Sequence, residues 1–310
     1  MNVLYKYYSS NFDLKKHLES PSMKLSTTKS FNDPFEKNIP HDLATMLTEK
    51  LKSELPPDLK RYQDEEYIST YTEVSKSFGV TALTETHRNI LMWAHYASSH
   101  RGLCIGYKSD FFDRLNKLPK EYSSNTPIYM PKRVIYDYKR FDSEQHDSSH
   151  TTYDLIMRAM MTKSDEWIYE KEHRCIIPFS WADKFIKTED VSFSTEQIIE
   201  GFLSDDKIDG PFIDEDTGVI EYKFNGFEYD ARDLASCDGI SIFKNIEIES
   251  IDSIYLGCEY QGMANIIKLI TSEQRYKHIK LYRYTMDKNN FSLDLIPLAL
   301  RRSFPKFGNT

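Results

Sequence analysis

The chain has 310 residues, and its 40 Lys plus Arg against 48 Asp plus Glu give a formal net charge of -8. That length encloses a core and a cleft in one large domain or two small ones, while the acidic balance disfavours bulk attraction to phosphate polymers and leaves only a local basic groove for them. A hydrophobic fraction of 40% with 21 Tyr and 18 Phe excludes a disordered chain.

Residues 3–8 read as an aromatic strand, followed by a short helix that Asn11 caps and that turns Phe12, Leu14 and Leu18 inward. A second extended stretch runs from Met23 to Thr28. Phe31-Asn32-Asp33-Pro34-Phe35-Glu36 is a loop, because Pro34 drives Asp33 out of the helical region. Leu43, Met46, Leu47 and Leu51 recur at helical spacing up to Pro56-Pro57, and a more charged helix reaches Lys76, so residues 41–76 form a helical insert.

Gly79 to Thr86 is a strand, Asn89 to Ser98 a helix and Gly102 to Lys108 a further strand. Arg133 to Lys139 alternates as a strand. Tyr153, Ile156, Met157, Met160 and Met161 form the inner stripe of a long helix and are core rather than a cofactor box. His173 to Phe179 is a short buried strand. Residues 181–240 are acidic and loop-rich, an insert with a hairpin around Asn225-Gly226. Ile251 to Leu256, a helix from Met263 to about Lys277, Ile279 to Tyr284 and a strand near Phe291 to Ile296 complete the sheet. The expectation is therefore an α+β protein: residues 1–310 as one mixed-sheet domain with peripheral helices, the core in 1–180 and a closing strand-helix-strand unit in 241–300.

The four cysteines, Cys104, Cys175, Cys237 and Cys258, have no CxxC spacing, and His95 and His100 lie five apart rather than four, so no metal centre is expected. The start of the chain lacks a signal peptide and no apolar run reaches the length of a membrane span, which points to the cytoplasm and to no membrane partner.

The best candidate for chemistry is Trp167-Ile168-Tyr169-Glu170-Lys171-Glu172-His173-Arg174. If it is extended, Glu170, Glu172 and Arg174 share one face and two carboxylates meet one guanidinium. Opposed tuning of that kind suits acid/base work, although a salt-bridged strand has the same charge pattern. Asn32, Asp33 and Glu36 either bind a ribose or tie the turn before Pro34. Met92, Trp93 and Tyr96 lie on one side of their helix with His95 beside them, positions that serve a core as readily as a pocket.

Tyr5-Lys6-Tyr7, FNDPFE, MWAHYASSHRGLCIGY, WIYEKEHRCII and IDSIYLGCEY, in this order over nearly the whole chain, resemble a widespread bacterial family of domains of unknown function. That family is distantly similar to ADP-ribosyltransferases, which surround NAD with a first-strand polar residue, a central strand and helix, and a late ExE entering a strand. The chain departs from them in having Thr84-Glu85-Thr86 where one subclass has Ser-Thr-Ser, and Lys6 or Tyr7 where a first-strand His or Arg stands. The resemblance implies an ADP-ribosyltransferase-like core with NAD as co-substrate. Glu172 then stabilises the departing ribosyl cation and Glu170 orients or deprotonates the acceptor. Lys6, Tyr7, Asn32, Asp33, Glu36, Trp93, His95, Tyr96 and Arg174 surround the nucleotide, with Tyr7 or Tyr96 stacked on nicotinamide.

The implied activity is modification of RNA or protein by a toxin or anti-phage effector, which an antitoxin or regulatory protein would restrain. Two other classes compete with it. A metal-dependent nuclease would gather Asp33, Glu36, Glu85, His95 and His100, and a non-catalytic sensor or partner-binding module would use the aromatic surplus for an interface.

Overall fold

The computed structural model describes residues 3–54, 76–112, 128–142, 144, 150–215, 217–226 and 231–298. Following the chain, Val3–Tyr8 is β1 and Leu14–Glu19 is α1, with Leu14 and Leu18 buried as their spacing requires. Its cap is Asp13, whose Oδ1 accepts from Lys16 N at 2.9 Å. The expected cap, Asn11, instead accepts from the Ser9 hydroxyl at 2.5 Å, so its side chain is spent before the helix begins. Ser22–Leu25 is β2 and His41–Glu54 is α2. The charged helix expected up to Lys76 falls almost wholly on 55–75, outside the described residues.

Phe78–Thr84 forms β3. Ile90–Tyr96 forms α3, whose cap Asn89 accepts from Leu91 N and Met92 N. Leu103–Lys108 forms β4, within the strand expected from Gly102 to Lys108. The strand expected over residues 133–139 is split at Val134 into β5 (Ile128–Arg133) and β6 (Ile135–Asp137). Thr152–Met160 is α4, opened by a capping box between Thr151 and Asp154. Thr162–Ser164 is β7, and Glu172–Pro178 is β8.

Residues 181–240 are not a loop-rich insert. They contain β9 (Lys184–Lys187), α5 (Phe193–Ser204), β10 (Ile208–Ile213), β11 (Ile220–Phe224) and α6 (Arg232–Ala235), and β12 (Ile240–Asn245) follows. The hairpin joins β10 to β11 through Asp214 to Val219, where Gly218 takes a left-handed φ of 69°. Asn225 lies beyond it and holds Asp206 O and Asp209 through its amide. The closing unit is as expected: β13 (Ile251–Leu256), α7 (Met263–Ser272), β14 (Lys280–Met286) and β15 (Leu293–Pro297).

These elements divide into two compact units, where the expected architecture was one mixed-sheet domain. The first comprises residues 1–21, 83–115 and 246–310, and the second 22–82 and 116–245. Within the first unit the strand order is β15-β14-β13-β4-β1. β13 and β14 are parallel, as their helical crossover demands, and the other pairs are antiparallel, so the sheet is mixed.

The second unit holds a five-stranded antiparallel sheet, β10-β11-β9-β12-β2, and the run β3-β8-β5, with β3 leaving the unit at its last two residues. Its main core joins Leu43 and Leu47 of α2 to Leu155, Ile156, Met157, Met160 and Met161 around α4, with Val80, Val134 and Ile176 from the strands. The methionine stripe is therefore core. Its unbranched side chains fill the irregular space between two helices and a sheet.

A charged network beside a cavity in the second unit

Once the Met stripe of α4 is buried, Thr162–Ser164 leaves the helix as β7, parallel to β6 with Lys163 opposite Tyr136. Lys163 is thereby carried inward to 7% exposure. A 3-10 turn over Asp165–Glu170 follows, capped by Ser164. Lys171 then adopts a left-handed φ of 47° and is exposed. A non-glycine residue there costs roughly 1–2 kcal/mol, and the reversal brings Glu170, at the end of the turn, and Glu172, at the start of β8, to the same ammonium.

This corrects the expected geometry. Glu170 is not on the strand, and the group shared by the two carboxylates is Lys163 rather than Arg174. Lys163 Nζ donates to Glu170 Oε2 at 2.6 Å and to Glu172 Oε2 at 2.8 Å. Arg174, 2% exposed, donates from Nε to Glu172 Oε1 at 2.7 Å and from Nη1 to Met160 O at 2.6 Å, and its Nη2 donates to Glu36. The Phe31 ring lies 4.9 Å from the guanidinium carbon. Tyr136 accepts from Glu172 N at 2.7 Å and fixes the start of the strand.

Burial alone raises the Glu172 pKa, but Arg174 and Lys163 overcome it and hold the carboxylate down at about 2. Burial pulls the Lys163 ammonium down, and Glu172 and Glu170 more than reverse that. Glu36 differs from both: its burial outweighs Arg174 and Lys163, so its pKa is raised. Two cations face three carboxylates, a formal charge of -1. The excess is shared, since Arg174 meets both Glu36 and Glu172 while Lys163 meets Glu170 and Glu172.

Glu36 reaches this position from the FNDPFE loop. Pro34–Lys37 forms one 3-10 turn, for which Asp33 is the cap, with Oδ1 accepting from Phe35 N at 2.8 Å. Arg140 holds the same turn through the carbonyls of Phe35 and Asn38. Asp33 is 4% exposed, so its side chain ties the turn, and Asn32 is exposed.

The turn walls a cavity of about 620 Å³, lined by Phe31, Phe35, Tyr138, Asp33 and Glu36 and by the cations Lys29, Lys37, Arg140, Lys163 and Arg174, among others. The volume is within the range of small-molecule and cofactor sites. Lys29, Lys37 and Arg140 have no carboxylate partner among the described residues, whereas Asp33 is committed to its turn and Asp137 Oδ1 accepts from Lys139 N. Lys29, Lys37 and Arg140 thus share the lining with the carboxylates of Asp33, Glu36 and Asp137. Tyr138 is 79% and Phe35 63% exposed. Glu172 and Asn32 are not among the lining residues.

The remaining candidates are in the first unit. Lys6 is half-buried on β1 opposite Ile105. Tyr7 is buried and donates to Thr86 O at 3.1 Å, with its ring 5.1 Å from and edge-on to that of Trp93. Trp93 is fully buried and donates from Nε1 to His87 O at 2.9 Å. Both are buried packing residues. His95 is exposed and Tyr96 half-buried, their rings 6.5 Å apart. His87, overlooked in the sequence, stacks on Tyr255 at 4.0 Å and meets the Tyr284 hydroxyl through Nδ1 at 2.6 Å, and burial draws its pKa down to about 4.

Among the described residues no three of His, Cys, Asp and Glu gather to hold a metal ion, so Asp33, Glu36, Glu85, His95 and His100 do not form the cluster that the nuclease reading requires. Nor is any described helix long and apolar enough to cross a membrane.

Residues 92–175 match a family described as a protein of unknown function, DUF2971. The matched span includes Trp93, Lys163, Glu170, Glu172 and Arg174 but not the FNDPFE loop. Neither the curated proteins nor the solved structures contain a match to the chain.

Proposed function

We propose that the chain is a nucleotide-using enzyme whose substrate enters the cavity of the second unit, and that its reaction is ADP-ribosyl transfer from NAD to a macromolecule, RNA or protein. The observation that carries the reading is the cavity of about 620 Å³, with Lys29, Lys37 and Arg140 beside exposed Phe35 and Tyr138. Cations suit a diphosphate and flat rings suit a base or nicotinamide.

In this reading Glu170 and Glu172 act from behind the cavity wall. Glu172 accepts from both Lys163 and Arg174 and is 5% exposed, so it positions the two cations rather than touching the ribose. Such preorganised charge stabilises what develops in a transition state without reorganising when it forms. An enzyme that marks cellular RNA or protein needs restraint, and an antitoxin or regulatory protein belongs to the same proposal.

The test is label transfer. Full-length protein incubated with labelled NAD and cell extract is expected to mark a macromolecule, and ribonuclease or protease treatment of the product tells RNA from protein. Folded protein that marks nothing in any extract sinks the assignment.

The complete pairing of Lys163 and Arg174 favours one other reading, a ligand-binding module without turnover, for which a satisfied network is a rigid frame. NAD or ADP-ribose that binds in the cavity and is recovered intact supports that alternative.

A further inference from the structure

We propose that Glu36 is the carboxylate that meets the substrate: it stabilises the ribosyl cation as nicotinamide leaves and takes the proton of the acceptor. This rests on the reading of the cavity as an NAD site, and it replaces the assignment of that role to Glu172.

Three observations carry it. Glu36 lines the cavity and Glu172 is not among the lining residues, so only the former offers an oxygen to an occupant. Within the network Glu36 meets one cation, Arg174, whereas Glu172 meets both Arg174 and Lys163. A positive charge developing in the cavity therefore adds to the single pairing of Glu36. The third is mechanical. The Pro34–Lys37 turn is aimed by Asp33, Arg140 and Arg174, which set the Glu36 carboxylate at the cavity wall with its side chain 9% exposed. The raised pKa of Glu36, due to burial and set against Arg174 and Lys163 with Glu172 nearby, makes it a stronger base than a solvated glutamate.

The step balances as follows. The bond from ribose C1′ to the nicotinamide nitrogen breaks, and its electron pair stays on that nitrogen, which becomes neutral. C1′ then bonds to an oxygen or nitrogen of the acceptor. The proton of that acceptor atom moves to the Glu36 carboxylate and from there to water.

The experiment pairs calorimetric NAD affinity with label-transfer rate for wild-type protein, Glu36→Gln and Glu36→Asp, each checked for an unchanged melting temperature. The expected result is a transfer rate about 100-fold lower in Glu36→Gln with Kd within about threefold of wild type, and partial recovery in Glu36→Asp. A Glu36→Gln protein that transfers within about threefold of wild type overturns the role of Glu36 and leaves the NAD reading standing. Loss of NAD binding along with transfer makes Glu36 a binding group and also overturns it. Wild-type protein that neither binds nor consumes NAD overturns both.

Discussion

Replacing Lys163 with Met keeps an unbranched side chain, one atom shorter, and removes its charge. The network then changes from two cations and three carboxylates to one cation and three carboxylates, from a formal charge of -1 to -2. Glu170, 4% exposed, loses an ion pair of 2.6 Å and Glu172, 5% exposed, one of 2.8 Å. Removing one partner of a buried pair costs about 3–5 kcal/mol, because the remaining charge stays desolvated. Glu172→Gln is milder: it takes the network from -1 to 0 and keeps an oxygen for Arg174, so about 1–3 kcal/mol is expected.

The order of the two variants is the informative part. Urea denaturation followed by tryptophan fluorescence measures it, since Trp167 and Trp181 both belong to the second unit. The double variant Lys163→Met with Glu170→Gln returns the charge to -1 and is expected to recover at least about 1 kcal/mol of the loss. A Lys163→Met protein that loses less than about 1 kcal/mol, or less than Glu172→Gln, refutes the charge count.

Three further outcomes follow from the same coordinates. The pKa of Glu172 is depressed from 4.5 to about 2 on folding, so its contribution to stability is complete above 4.5 and is lost as pH falls toward 2. Paired denaturation curves of wild type and Glu172→Gln should therefore converge over that window by roughly 3 kcal/mol, and a difference constant with pH contradicts the linkage. Asp33→Ala removes the cap of the Pro34–Lys37 turn; a loss of about 1 kcal/mol in denaturation with a lower transfer rate is expected, and an unchanged rate separates the turn from the chemistry. In the first unit a Cβ added at Gly102 would stand 2.1 Å from Tyr8 O, so Gly102→Ala should lower stability by at least about 2 kcal/mol, and a neutral effect would show that the backbone there yields.

Much of the fold is local and was legible. The strand-helix-strand at the end of the chain, the helix that begins near Asn89 and the Met stripe each follow from patterns within a dozen residues. The sheet formed by β9 to β12 was not, because its order depends on β2, far away in sequence, and short strands carrying Lys and Glu read as loop. The site was half legible for a similar reason. Glu170, Glu172 and Arg174 were recognisable as a charge pattern, but an extended segment was assumed where Lys171 reverses the chain. Lys163 lies in the polar stretch MTKSDE and carries no signal of its own. Only the pairing of β7 with β6 beneath the Met stripe buries it. Its one clue was its place directly after a buried helical face. Trp93, where the sequence allowed pocket or core, is core, and Tyr7, which the resemblance put at the nucleotide, is buried beside it.

The most direct measurement is amide hydrogen exchange of the full chain with and without NAD, read peptide by peptide. The account predicts protection concentrated in residues 28–41, 137–140 and 159–174, the segments that wall the cavity, and little change at β15 or α7. NAD that protects none of those segments, or only peptides elsewhere, contradicts the claim that this cavity is the site.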